Sequence, residues 1–376
     1  MNLRPSIHKT CNKVVIKVGT NLLADKTSGI NAARIDRLAA DVASLRAAGR
    51  QVAIVTSGAI GAGVAALKFK ARPKTLPHKQ AAAAVGQPLL MEAYEKSFRK
   101  YGCPIAQILL TKEDFTNRKR YVNAKNTFFA LFEQGVVPII NENDTVAVDE
   151  IKLGDNDNLS AFVAHLVEAD LLVLLSDIDG LYSDDPSKNK NATLIPVVQR
   201  VSPQIEKLAR SSNTELSTGG MITKIQAAKR CVSSGIAMII ANGKDPDVLE
   251  KIFSGALVGT LFLPSSQKLT VRKKWIGFVS HSKGSIIVDD GARIALVKKK
   301  KSLLASGILE VRGDFKKNDT VVIMGVDAVD IGKGVTRFSS IELQRIRGKK
   351  SGEAAKILGR KNCDEVIHRD DLVVIE

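Results

Sequence analysis

The sequence predicts an α/β protein in which a mainly parallel central sheet lies between two layers of helices, followed by a small β-rich module. Over residues 1–264, short apolar runs alternate with amphipathic stretches, which is typical of βα units around a parallel sheet. After Pro264, a polar linker leads into short alternating segments with glycines. We therefore expect two domains, at residues 1–264 and 275–360.

The apolar runs place the strands of the larger domain. They are VVIKV (14–18), VAIVT (52–56), IAQILL (105–110), VVPII (136–140), LLVLLS (171–176) and AMIIA (237–241). Between the first two runs, an apolar stripe at helical spacing predicts a helix, formed by Ile35, Leu38, Val42 and Leu45. Gly49 is predicted to end this helix. Ligands of such sheets collect at the carboxyl ends of the strands, so the residues after each run are the candidates for a site.

In the smaller module, GSIIVDDGA and TVVIMG indicate strands, and Gly332-Lys333-Gly334 indicates a turn between strands.

Composition limits the class of protein. The chain has 376 residues, 44% of them hydrophobic, and a formal net charge of +17, which favours anionic partners such as nucleotides, acidic metabolites or nucleic acid. For the run Lys298–Lys301 we favour a solvated loop over a nucleic-acid contact. No apolar run approaches the roughly 18 residues of a membrane span, and the N-terminus lacks the apolar core of a signal peptide, so we expect no membrane partner and a cytoplasmic location.

The cysteines indicate neither a zinc site nor a disulfide framework. Cys11, Cys103, Cys231 and Cys363 lie far apart, and no CxxC pair occurs. We expect plain thiols in a reducing compartment.

Polar residues follow the first two predicted strands. The first strand ends in Lys17 and Gly19, and the second in Ser57 and Gly58. A lysine within an apolar run is costly to bury without an anion, and small residues let backbone amides approach an anion closely. Tight packing of a helix on the sheet would also explain the small residues, because the segment is neither a Walker A loop nor an ordered GxGxxG.

The stretch IKLGDNDNLS (151–160) places two carboxylates and two amides directly after a glycine. One interpretation is a turn that caps a helix, and Leu159, Val163 and Leu166 have the spacing for that helix. A cap needs only one such residue, so we favour the interpretation that this helix start also binds a ligand.

Further polar segments follow at NEND (141–144), SDIDG (176–180) and STGGMITK (217–224), the last of which carries a second lysine at a helix start. Lysines and glycine amides gathered at one edge of a sheet suit phosphoryl transfer, which needs positive charge and aligned amides more than a nucleophilic side chain.

These segments together resemble a known family. The pieces are IKVGTNLL (16–23), VTSGAIGAG (55–63), AAVGQ (83–87), LLTKEDFTNRKRYVNAKNT (109–127), VVPIINENDTVAVDEIKLGDNDNLSA (136–161), LLSDIDGLYSDDP (174–186), STGGMITK (217–224) and VGTLF (258–262). In this order, over residues 11–264, they resemble the glutamate 5-kinases, or γ-glutamyl kinases, of the amino acid kinase family. The remainder resembles a PUA domain. The resemblance implies the three-layer amino acid kinase fold with a β-rich PUA-like domain.

The resemblance also implies an activity. The γ-phosphoryl group of ATP would move to the γ-carboxylate of L-glutamate, which gives γ-glutamyl phosphate in the first step of proline biosynthesis. ATP would be the cosubstrate. Mg²⁺ would bind with it and would need few protein ligands. Lys17 and Lys224 would act on the acceptor and nucleotide sides, with Asp157 holding both ammonium groups.

Further residues are assigned by the same resemblance. The glutamate site would comprise Ser57, Gly58, Asp144, Asp155 and Asn156. The ATP site would comprise Lys17, Gly19, Ser176, Asp177, Tyr182, Thr218, Gly219, Gly220, Met221 and Lys224. The amides of Gly19 and Gly58 would face the phosphoryl group. Asn21 stands where relatives commonly carry a small hydroxyl residue.

Several alternatives stay open at this point. Acetylglutamate kinase, aspartokinase and uridylate kinase are rivals with similar phosphate machinery, and the NENDTVAV and IKLGDNDNLSA segments favour a glutamate 5-kinase over them. A different class of function would be RNA binding through the PUA-like domain. The resemblance further implies a homo-oligomer and brings proline into consideration as a feedback inhibitor.

Overall fold

The computed structural model describes residues 11–25, 29–147, 156–211, 220–264, 282–360 and 365–374. The chain divides into two compact units, Met1–Lys268 and Leu269–Glu376. Each unit is described by itself.

Within the described residues, the N-terminal unit is built on an eight-stranded sheet. Its strands are β1 (Lys13–Val18), β2 (Gln51–Val55), β3 (Ile105–Leu110), β4 (Val137–Glu142), β5 (Leu171–Ser176), β6 (Val197–Val198), β7 (Ala237–Asn242) and β8 (Thr260–Phe262). The order across the sheet is β3-β4-β2-β1-β5-β7-β8-β6. Each of the described strand pairs is parallel except β7 with β8.

The six apolar runs of the sequence are the strands β1 to β5 and β7, so the predicted mainly parallel sheet is confirmed. The pattern missed β6 and β8, which have only two and three residues. Strands this short show no periodicity, and their place at the edge depends on pairing with residues distant in the sequence.

Helices cover both faces of this sheet. They are α1 (Thr20–Leu23), α2 (Ala32–Ala47), α3 (Ala59–Ala66), α4 (Leu76–Arg99), α5 (Lys112–Thr116), α6 (Arg118–Glu133), α7 (Asn156–Leu166), α8 (Pro203–Ser211), α9 (Met221–Ser233) and α10 (Val248–Phe253). Every residue of β4 and β5 is buried. Because successive side chains of a strand point to opposite faces, complete burial requires cover on both sides.

Helix α2 has the predicted apolar stripe. Ile35, Leu38, Val42 and Leu45 are all buried in one hydrophobic core with Val14 and Ile16 of β1. The helix ends before Gly49, whose φ of +81° lies in the left-handed region that favours glycine.

Helices α3 and α4 pack unusually closely. A Cβ atom on Gly63 would lie 1.8 Å from the carbonyl oxygen of Ala82, and one on Gly86 would lie 1.8 Å from that of Ala59. Only glycine fits at both positions. Tight packing of the two helices therefore accounts for small residues here, independently of any role in the site.

The C-terminal unit contains, in its described part, a five-stranded sheet in the order β10-β9-β11-β12-β13. The strands are β9 (Ser282–Val288), β10 (Ile308–Gly313), β11 (Thr320–Met324), β12 (Asp330–Val335) and β13 (Leu372–Val374), and the helices are α11 (Asp290–Val297), α12 (Ser340–Ile346) and α13 (Ser351–Leu358). Ile286, Val321, Ile323 and Leu343 lie in a core of this unit. The predicted β-rich module is confirmed.

One prediction for this unit is wrong. Gly332, Lys333 and Gly334 do not form a turn but lie inside β12, paired with β13. A Cβ on Gly332 would lie 2.3 Å from the carbonyl oxygen of Val373, so the glycine permits close approach of the neighbouring strand. The same residue type marks turns and close backbone contacts, and the sequence alone does not separate them.

Cys11, Cys103 and Cys231 are buried free thiols, as expected, and Cys363 lies outside the described residues. None of the helices in the described part of the chain is long and apolar enough to span a membrane.

Candidate active site

The candidate site begins with a buried lysine on the central strand β1. Val14, Ile16 and Val18 enter the core on one face of the sheet, so Lys17 faces the other side, where it is only 7% exposed. There its Nζ lies 2.5 Å from Oδ1 of Asp157 in the first turn of α7.

The second lysine reaches the same carboxylate from α9. Nζ of Lys224 lies 3.1 Å from Oδ2 of Asp157, and the hydroxyl of Thr223 donates to that oxygen at 2.9 Å. Asp157 is fully buried and Lys224 is 5% exposed. The structure thus brings together three residues that are 140 and 67 positions apart in the sequence.

The two ammonium groups set the protonation state of Asp157. Burial alone would raise the pKa of this carboxyl group, but the charges of Lys17 and Lys224 and their hydrogen bonds outweigh burial and lower the pKa to about 2. At neutral pH the carboxylate is ionised and poorly suited to accept a proton. The cluster of two cations and one anion carries a net positive charge, which a buried site can use to bind an anion.

Beside this cluster lies a pocket of neutral polar groups, here called the amide pocket (Ser57, Asn141 and Asn156). Nδ2 of Asn156 donates to the backbone oxygen of Thr56 at 2.5 Å and lies 2.9 Å from Oγ of Ser57 and 3.0 Å from Oδ1 of Asn141. Ser57 ends the loop after β2, and Asn141 lies near the end of β4. Asn156 therefore ties together the carboxyl ends of two neighbouring strands.

The two glycines predicted to face a phosphoryl group differ. Gly58 has a φ of +101° and begins α3, so a side chain there would be strained. The N–H of Gly19, in contrast, donates to the carbonyl oxygen of Leu175 at 3.1 Å. The expectation that this amide faces a phosphate is therefore corrected: pairing with β5 occupies it. A Cβ on Gly19 would lie 3.9 Å from Nζ of Lys17, so the glycine leaves space beside the lysine.

On the other side of the cluster is an exposed group, here called the carboxylate rim (Asp177, Asp179 and Tyr182). The amide of Asn21 donates to Asp177 at 2.9 Å, and the hydroxyl of Tyr182 donates to Asp179 at 2.9 Å. Burial would raise the pKa of Asp177, but hydrogen bonds from Asn21, from its own backbone and from Ser176 outweigh it and lower the pKa. The rim follows the end of β5.

The remaining candidate residues divide into two groups. Asp144 lies half-buried in the turn after β4, and Gly220 and Met221 begin α9. Asp155, Thr218 and Gly219 lie outside the described residues.

Sequence reasoning missed four contributors. Thr223 bonds Asp157, Thr56 accepts from Asn156, and Gln87 contacts Asn141. The hydroxyl of Thr56 also lies 2.9 Å from that of Tyr94, which is completely buried. Thr56, Gln87 and Thr223 lie in the segments VTSGAIGAG, AAVGQ and STGGMITK that carry the family resemblance, although no role is assigned to them there. Tyr94, in the middle of α4, carries no local signal.

The fold and the buried lysine pair define the class as a phosphotransferase built on an α/β sheet. The model of the amino acid kinase family matches residues 12–242, and that of the PUA domain matches residues 284–358. The chain is 50% identical to a glutamate 5-kinase of Thermoanaerobacter sp. over 97% of this chain and 98% of the relative. It is 49% identical to a glutamate 5-kinase of Geobacter metallireducens over 99% of this chain and 100% of that relative.

The chain therefore belongs to the amino acid kinase family and, within it, to the glutamate 5-kinases that carry a C-terminal PUA domain. Among solved structures, the UMP kinase from Bacillus anthracis aligns with a TM-score of 0.46 and 16% identity, over 68% of this chain and 97% of that chain. That likeness is too low to support a conclusion.

Proposed function

We propose that this protein transfers the γ-phosphoryl group of ATP to the γ-carboxylate of L-glutamate, giving γ-glutamyl phosphate for proline biosynthesis. The observation that carries the proposal is the buried contact of Lys17 and Lys224 with Asp157. The names of the full-length relatives support the choice of glutamate.

The reaction needs no general base. A glutamate side chain with a pKa near 4.3 is already an anionic nucleophile at neutral pH. Asp157, whose pKa is lowered to about 2, is poorly suited to remove a proton. Its proposed role is to hold both ammonium groups at fixed positions, which makes it an organising residue rather than a base.

The main barrier is repulsion between the carboxylate of glutamate and the phosphates of ATP, and the two lysines would reduce it. Each ammonium group has three N–H donors, so Lys17 and Lys224 can bond Asp157 and still point donors at phosphoryl oxygens. Because both are buried, their charges are poorly screened and already in place before the reaction. Lys17 would act on the acceptor side and Lys224 on the nucleotide side.

The amide pocket would hold the α-amino and α-carboxylate groups of glutamate. Asn156 and Ser57 would contact these groups directly, with Asp144 and Asp155 near the ammonium group. Gly58 would contribute its amide at the start of α3. A hydroxyl and amides suit a zwitterion because they offer both donors and acceptors without a net charge.

The carboxylate rim and the start of α9 would bind the nucleotide. Asp177 repels bare phosphates, so it would serve ATP through a cation or through hydroxyl groups. In the described part of the chain no group of three or more potential metal ligands converges. We expect Mg²⁺ to be held mainly by the phosphates of ATP and by water. When bound, Mg²⁺ supplies neutralising charge to those phosphates.

A phosphotransfer assay over L-glutamate, acetylglutamate, aspartate and UMP tests the proposal. We expect ATP- and Mg²⁺-dependent turnover of glutamate, with γ-glutamyl hydroxamate formed when hydroxylamine traps the product. Equal or faster turnover of one of the other three acceptors would overturn the choice of substrate.

The cytoplasmic location, the homo-oligomer, inhibition by proline and RNA binding by the C-terminal unit stay predictions. For RNA, titration of the full chain with structured RNA at rising salt is the test. Binding that vanishes at moderate salt without preference among RNAs would indicate charge attraction alone.

A further inference from the structure

A chain of side-chain amides runs from the amide pocket to the edge of the sheet. Nδ2 of Asn141 donates to Oε1 of Gln87 at 2.9 Å, and Nε2 of Gln87 donates to Oε1 of Gln107 at 2.8 Å. At the other end, Asn141 meets Asn156. Asn141 and Gln87 are 2% and 8% exposed, whereas Gln107 is exposed on the edge strand β3.

Backbone groups fix the direction of these amides. The N–H of Glu142 donates to Oδ1 of Asn141 at 2.9 Å, so the nitrogen of that amide is turned to Gln87. The carbonyl oxygen of Thr56 accepts from Nδ2 of Asn156. A backbone N–H can only donate and a carbonyl oxygen can only accept. Reversing either asparagine would place two donors or two acceptors against each other.

This direction decides what Asn156 can offer a ligand. Its nitrogen, with two hydrogens, faces the oxygens of Thr56, Ser57 and Asn141, so its oxygen is the atom that remains for a ligand, and an amide oxygen only accepts. An ammonium group has three donors and no acceptor. We propose that Gln87 is a positioning residue which, through Asn141, keeps the oxygen of Asn156 directed at the α-ammonium group of the amino acid substrate. The inference rests on the proposed function.

The packing of α4 gives Gln87 this ability. Gly86, next to it, brings α4 into direct contact with the backbone of Ala59 on α3, because a side chain on Gly86 would collide there. The position of Gln87 against Asn141 is therefore fixed by backbone contact. Because Gln87 is buried, water competes little for Asn141, and the neutral amide supplies one acceptor and one donor without a buried charge.

The test compares Gln87→Met with Gln107→Met in the full chain. Methionine keeps the length of the side chain but cannot accept from Asn141, so Asn141, and through it Asn156, is held in place less firmly. We expect KM for L-glutamate to rise about 10-fold, with kcat and KM for ATP nearly unchanged. Gln107→Met is the matched control, because water can replace an exposed partner.

Inhibition by glutarate separates positioning from a structural effect. Glutarate has both carboxylates of glutamate but no ammonium group, so its Ki should not change in Gln87→Met. A general loss of packing would raise KM for glutamate and Ki for glutarate together, and that result overturns the inference.

Two further measurements keep the test decisive. Thermal unfolding reports whether Gln87→Met folds, and Gln87→Leu replaces it if it does not. The unsubstituted protein is assayed in parallel. If it does not phosphorylate glutamate, the proposed function fails, whereas normal turnover with an unaffected methionine variant overturns only the role of Gln87.

Discussion

The amide pocket and the carboxylate rim flank the same lysine cluster but are built in opposite ways. In the pocket, Asn141 and Ser57 are buried, and Asn156 contacts both. On the rim, Asp177 and its partner Asn21 are exposed, and a single hydrogen bond joins them. The pocket is neutral and largely buried, whereas the carboxylates of the rim are exposed.

Under the proposed function, the difference between the two sides follows from the ligand that each would recognise. A small amino acid offers few groups, so discrimination needs buried donors and acceptors whose loss leaves a group unpaired. A nucleotide triphosphate offers many groups, and the positive charge for its phosphates would come from Lys17 and Lys224. We therefore expect substitutions to have the largest effects in the cluster, smaller ones in the pocket and the smallest on the rim.

The largest effect is expected for Lys224→Ala. Losing one charge that is fixed in place before the reaction should lower kcat about 100- to 1000-fold, because the charge stabilises the transferring phosphoryl group. Lys229→Ala on the same helix is the control, since that lysine is exposed and paired with Glu206. Steady-state kinetics with both substrates measures the effect. Near-full turnover in Lys224→Ala would require the mechanism to be abandoned.

The next effect concerns stability in acid. The folded-state pKa of Asp157 is about 2, below its ordinary value of 3.8, so the ionised group stabilises the fold above about pH 4, and this stabilisation is lost as the pH falls towards 2. The contribution is on the order of 2 kcal/mol in the free energy of unfolding. Denaturant unfolding of the unsubstituted chain and of Asp157→Asn, from pH 6 down to pH 2, should show a difference that shrinks in this window. A constant difference would contradict the assignment.

A smaller effect is expected for Asp144→Ala on the pocket side. Because its proposed role is ground-state binding of glutamate, KM for glutamate should rise roughly 10-fold while kcat changes little. The KM for ATP serves as the internal control. A fall in kcat with unchanged KM would move Asp144 from binding to the chemical step.

On the rim, Asn21→Ser should change little. The variant removes an exposed hydrogen bond to Asp177, which is typically worth only a few-fold, so KM for ATP should rise by about 2- to 5-fold. KM for glutamate should stay the same. A larger rise in KM for glutamate than in KM for ATP would contradict the assignment of the rim to the nucleotide and of the pocket to glutamate.

The smallest effect is expected for removal of the C-terminal unit. The residues proposed for both sides of the site lie before residue 225, and the N-terminal unit has a hydrophobic core of its own. A truncated chain ending at Lys274 should fold and retain phosphotransfer. Circular dichroism and the hydroxamate assay check this, and complete loss of activity in a folded chain would refute an independent catalytic unit.

Local patterns predicted the regular elements well. Long apolar runs identified the six principal strands, and the stripe in α2 was correct down to Gly49. Local patterns fail where one residue type serves two purposes. Gly332 and Gly334 indicate a turn in the sequence but lie in a strand. The amide of Gly19 is predicted to face a phosphate but bonds the carbonyl oxygen of Leu175 on β5. In both cases the outcome depends on a neighbouring strand from elsewhere in the chain.

The sequence by itself determined the α/β class, because periodicity is a local property of the chain. The resemblance of its motifs to the glutamate 5-kinases indicated the family and the candidates Lys17, Asp157 and Lys224. Only the tertiary structure decided that two ammonium groups share one buried carboxylate, which lowers the pKa of Asp157. It also decided that Gln87 meets Asn141, 54 residues further along. Hydrogen-bond direction and electrostatic coupling depend on distances between side chains, and folding sets those distances by packing helices against a sheet.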